Sequence, residues 1–155
     1  MDGIVSVRVL EADGRLEWWD VFCGTDGEAS TVEVVSPSPG RQRFHGEGAD
    51  LFDALRALRL ELEERGAFLL CAGAARNAHQ SGALASFHDG AVVYLLEAGW
   101  RPKRQAWIFD PAEPEDAGTV AEQVEFFERW VRGRQTRGPF SNVLDWLYDL
   151  WHKVK

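Results

Sequence analysis

Residues 3–35, GIVSVRVLEADGRLEWWDVFCGTDGEASTVEVV, decide the fold class. From Gly3 to Ala12, Val5, Val7 and Val9 alternate with Ile4, Ser6, Arg8 and Leu10, the period-two pattern of a strand with one preferred inner face. Asp13-Gly14 supplies a hairpin turn, because glycine tolerates the positive φ that a tight turn requires. Arg15 to Cys23 then reads as a second strand, Thr25 to Glu28 as a second turn and Ser30 to Val35 as a third strand. Short connections join neighbours, so the simplest topology is an antiparallel meander. Trp18 and Trp19 are adjacent on a strand, so their rings leave opposite faces.

Working outward, Ser36-Pro37-Ser38-Pro39-Gly40 stops this sheet, since proline fixes φ and removes a backbone donor. A loop carrying Arg41, Arg43 and His45 leads to a helix with Asp50 as N-cap, Asp53 in the first turn, and Leu51, Leu55, Leu58 and Leu62 on one stripe before Gly66. Phe68 to Ala72 is wholly apolar, which suits a central strand covered on both faces. Gly73 to Gly90 reads as a polar connection, and Ala91 to Glu97 and Gln105 to Asp110 as a hairpin around Arg101-Pro102-Lys103-Arg104. Thr119 to Glu122 has capping-box spacing for a helix with Val120, Val124, Phe127 and Val131 inside and Gly133 and Gly138 at its end. Ser141 caps a last helix striped by Val143, Leu144, Leu147, Leu150, Trp151 and Val154. The expected architecture is a single α+β domain over residues 1–155, an antiparallel or mixed sheet of about six strands packed by about three helices.

Composition narrows the function classes. The chain has 155 residues, 45% of them hydrophobic, enough for one core. Its formal net charge of −8 disfavours binding to nucleic-acid phosphates. No apolar run approaches the roughly 20 residues that span a bilayer, and the N-terminus lacks a secretory signal, so no membrane partner is expected and the cytoplasm is the expected location. Cys23 and Cys71, both in apolar runs, read as buried reduced thiols.

The motifs of chemistry are weak. No glycine-rich phosphate loop is present, Ser81 lacks flanking glycines, and the four histidines are too scattered to hold a metal, so no catalytic, cofactor-binding or metal-ligating set is expected. The densest run of reactive side chains lies between Gly73 and Gly90, where Arg76, Asn77, His79, Ser81 and His88 make an alternative pocket for a small enzyme or ligand-binding domain. An ordinary connection packed through small residues is the commoner explanation. Cys71 and His79 could pair as thiolate and base, but the apolar flanks of Cys71 favour a packed thiol.

Charge is more one-sided. Met1 to Val35 carries eight acidic residues against two basic ones, and Asp110 to Glu128 seven acids and no base. Together with the tryptophan pair this marks Trp18, Trp19, Asp110, Glu113, Glu115, Asp116 and Glu122 as candidate partner-binding residues, since tryptophan concentrates at interface hot spots. Residues 68–82, FLLCAGAARNAHQSG, with Ile108-Phe109-Asp110, Thr119 to Gln123 and the aromatic-rich helix near Trp130, resemble small bacterial proteins of the polymorphic-toxin immunity type. That resemblance implies a small acidic cytosolic α+β domain without an enzymatic site, whose partner is a cognate protein toxin. An adaptor or structural subunit would present the same surface features.

Overall fold

A computed structural model describes residues 4–37, 39–80, 89–97 and 104–135. The meander is present: β1 (Ile4–Leu10), β2 (Leu16–Asp26) and β3 (Ala29–Val35) pair antiparallel in chain order. Two further strands extend it, β4 (Arg43–Gly48) beyond β3 and β5 (Phe68–Leu70) beyond β1, giving the order β4-β3-β2-β1-β5. A second sheet joins β6 (Ala78–His79), β7 (Val92–Leu95) and β8 (Arg104–Trp107). The expected 91–110 hairpin is its β7–β8 pair, with Val92 opposite Trp107. Among the described residues every strand pairing is antiparallel, and eight strands in two sheets stand where a single sheet of about six was expected.

The helix α1 (Leu51–Glu64) begins where the sequence places it. Asp50 accepts a hydrogen bond from the Asp53 amide at 2.9 Å, and Gly66 closes the helix at φ +76°. Its inner stripe of Phe52, Ala54, Leu55, Leu58 and Leu62 packs on the inner face of the large sheet, against Val7, Val9, Trp19, Val21, Val32 and Val34. That core continues through Leu69, Cys71 and Ala72 to Val93, Leu95, Ile108 and Phe109 of the small sheet. The helix α2 (Val120–Gln135) opens with the expected capping box: Thr119 Oγ1 accepts from the Glu122 amide at 3.0 Å and Glu122 Oε1 from the Thr119 amide at 2.9 Å. It runs through Gly133 rather than ending there, and buries Gln123, Phe127, Trp130 and Val131, with Val120 and Val124 half-exposed. The described residues hold these two α-helices; the expected third, from Ser141, lies outside them. No described helix is long and apolar enough to cross a membrane.

Two segments differ from expectation for identifiable reasons. β4 carries almost no hydrophobic signal because α1 lies directly on it: a Cβ on Gly46 would stand 2.1 Å from the Ala54 carbonyl oxygen and 2.7 Å from the Leu58 nitrogen. Its outward side chains are Arg43, His45 and Glu47, leaving Phe44 as its one inward hydrophobe. β5 is not a central strand but the last of its sheet, and its apolar run is explained by what flanks it. The Ala112 amide donates to the Leu70 carbonyl, and the amides of Ala72 and Gly73 donate to the carbonyls of Asp110 and Ile108, so irregular backbone covers the edge.

Candidate partner-binding face

Helix α1 covers one face of the large sheet, and the register specifies what the other presents. Directly opposed residues share a face, so the outer face carries rows that can be read off the pairing. One row is Leu16, Leu10 and Phe68; the next is Trp18, Arg8 and Leu70; then Ser6, Asp20, Val35 and Arg43; then Phe22, Glu33 and His45. Trp18 is 62% exposed and Leu16 49%, whereas Trp19 is 1% exposed and stacks on Phe44 at 5.8 Å beneath α1. Only Trp18 of the pair can therefore touch a partner. Trp19 belongs to the core, its indole nitrogen donating to Glu17.

Arg8 joins this face to the acidic segment. It sits opposite Trp18, and its guanidinium reaches across Leu70 of β5 to donate to the Ala112 carbonyl at 3.2 Å and to Glu113 at 3.4 Å. Leu70, its register partner on the outer side, is 1% exposed. Glu113 in turn caps a single 3-10 turn, Pro114–Asp116, reciprocally with Asp116. Trp18, Glu113 and Asp116 thus lie along one connected surface although 95 residues separate Trp18 from Glu113 in the chain.

The other acidic candidates have local employment. Asp110 accepts from the Trp107 amide at 3.0 Å and holds the turn after β8. Glu122 belongs to the α2 cap, whose Thr119 amide holds its carboxyl below the usual range, and it lies 3.8 Å from Arg76. Glu115 is exposed.

Of the alternative pocket's proposed members, the three that are described turn to different neighbours. Arg76 turns to the acidic segment, donating to the carbonyls of Ala117 at 3.1 Å and Glu115 at 3.5 Å. Asn77 ties β6 to the end of β7 by donating to the Leu96 carbonyl at 2.9 Å. Ser81 and His88 lie outside the described residues. His79 stacks flat on Phe127, centroids 3.9 Å apart, and with Phe52, Arg56, Gln80, Gln123 and Val124 lines a narrow cleft of about 10 Å³ between α1 and α2, room for about one water. Cys71 is buried, and burial pushes its thiol up to about 11, the opposite of what a nucleophile needs. Among the described residues no three His, Cys, Asp or Glu side chains converge on a metal position.

No family model matches the chain, and no curated protein does.

The polar group that the sequence did not flag is Arg59. It occupies the inner stripe of α1 at 3% exposure and is held by uncharged acceptors: Gln123 Oε1 at 2.6 Å, the Gly118 carbonyl at 2.8 Å and the Gly73 carbonyl at 3.4 Å. Gln123 uses its amide nitrogen on the carbonyls of Gly73 and Ala75. Burial lowers the Arg59 pKa to about 10, which leaves it cationic at neutral pH. With its oxygen and nitrogen both engaged in the interior, this network clamps α2 to α1 and is not open to a substrate. Arg8, Leu10, Leu16 and Asp20 are the surface residues that sequence reading left out, and period-two alternation through β1 and β2 was the signal that could have found them.

Proposed function

We propose that this chain is an immunity-type binding domain that neutralises a basic protein toxin by docking it on the outer sheet face around Trp18, without catalysis. The observation that carries the reading is the continuity Trp18–Arg8–Glu113, which joins an exposed aromatic to a carboxylate-rich edge. Desolvated aromatics slow dissociation, and surrounding carboxylates speed encounter with a basic surface. The resemblance of residues 68–82, 108–110, 119–123 and the aromatic-rich helix near Trp130 to immunity proteins supports the choice of partner. Free thiols at Cys23 and Cys71 suit the reducing cytoplasm. The test is co-expression with the toxin candidate encoded beside this gene: cells survive and the two proteins co-purify. Survival without a complex would point to the enzyme reading, and death despite soluble expression of this chain would remove the immunity reading.

A further inference from the structure

The outer face is not uniform, and its makeup selects a kind of partner. Leu16, Leu10 and Phe68 stand side by side on β2, β1 and β5, and Trp18 stands in the next row beside Leu16. Neighbouring strands are about 4.8 Å apart and alternate residues about 6.6 Å, so these Cα positions outline a corner of roughly 10 by 7 Å. Leu16 and Trp18 are exposed, Leu10 and Phe68 half-buried. The Ser6–Asp20 row, closed by a hydrogen bond of 3.3 Å, separates this corner from Phe22 further along β2.

The rim is acidic in a specific sense. Asp13, at the β1–β2 turn, and Glu113 are each matched inside the chain, by Arg15 at 2.7 Å and Arg8 at 3.4 Å. Asp20 and Asp116 form no ion pair among the described residues. Both guanidiniums of the corner are thus committed, while Asp20, which accepts from Ser6, and Asp116, which accepts from the Glu113 amide, keep their negative charge unmatched by a described cation on two of its sides.

Resting on the binding reading above, we propose that this corner receives a protein segment whose apolar stripe is flanked by lysine or arginine. The stripe covers Leu10, Leu16, Phe68 and Trp18, and the flanking cations meet Asp20 on one side and the Glu113–Asp116 edge on the other. An acidic or purely apolar segment lacks the second half of this match, and nucleic acid is repelled by the same carboxylates.

The probe is a labelled helical peptide with leucines at i, i+3, i+4 and i+7 and lysines on both flanks, titrated into the full-length protein by fluorescence anisotropy. Saturable binding is expected, weakened about tenfold or more by Trp18→Ala and by Asp20→Lys, and unchanged by Glu61→Lys with Glu64→Lys on the exposed side of α1. Circular dichroism and melting of each variant confirm that it is folded. Equal binding by all variants, or equal binding of a peptide with glutamates in place of lysines, would overturn the proposal. The same variants, co-expressed with any basic toxin candidate encoded beside this gene, separate this inference from the broader one. Toxin held equally by wild type and Trp18→Ala sinks the corner and leaves the immunity reading standing; toxin ignored by both sinks the immunity reading, while the peptide result still judges the corner.

Discussion

Arg59 shows how one residue can escape a pattern-based reading. A cation at a core position looks like a break in the apolar stripe of α1, yet its planar donors match three oxygens that only the folded chain assembles, from Gly73, Gly118 and Gln123. Arg59→Ala should destabilise the protein by about 3 kcal/mol, because it leaves buried acceptors unpaired, and Arg59→Lys should recover little of that loss. Chemical denaturation midpoints check both. Cys71 gives a pH prediction. Burial raises its folded pKa from 9.0 to about 11, so the neutral thiol favours the fold fully below about pH 9 and that contribution is lost as pH climbs through 11. Melting temperature should fall over this window, less steeply in Cys71→Ala, and thiol reagents at pH 8 should label folded Cys71 far more slowly than the unfolded chain. A rapid reaction at pH 8 would contradict its burial.

Among the elements, β4 and α1 are fitted to each other through glycine. Gly46→Ala should cost about 3 kcal/mol or more, since the added carbon meets helix backbone that cannot give, whereas Gly40→Ala, with nothing within 4 Å, should leave the melting temperature nearly unchanged. Thr119→Ala should remove about 1 kcal/mol by opening one half of the α2 capping box. Strands β1 to β3, the α1 cap and the α2 cap were legible because each depends on neighbours within a few residues. β4 was not, because its exposed side is charged and the inward side of Gly46 and Gly48 is filled by helix backbone. The edge position of β5 was hidden for the complementary reason: the backbone of residues 108–112 bonds to Leu70, Ala72 and Gly73, and Leu69 and Leu70 are as buried as on a central strand.

For the whole molecule, the acidic edge predicts kinetics more than affinity. Reversing Asp20 and Glu115 to lysine should slow association with a basic toxin more than it speeds dissociation, and the wild-type on-rate should fall as salt rises, since exposed charges act over about 8 Å at physiological ionic strength. Glu122 is a poor choice for such reversal, because it also caps α2 and faces Arg76. Stopped-flow association at low and high salt is the measurement. An on-rate indifferent to both salt and charge reversal would mean that the carboxylates serve solubility alone.

By itself the sequence determined the α+β class, the antiparallel meander, the two helix starts and the opposite faces taken by Trp18 and Trp19, all consequences of backbone periodicity and local hydrogen bonding. It also singled out acidic and polar runs as places to look. Only the tertiary structure decided which of those residues meet: Arg76 left the polar run for the acidic one, Asn77 became a tie between strands, and Arg8 joined Trp18 to Glu113. The physical reason is distance along the chain. A contact between residues about a hundred positions apart depends on sheet order and on which edge a distant segment covers, and neither is written in the spacing of the residues that finally touch.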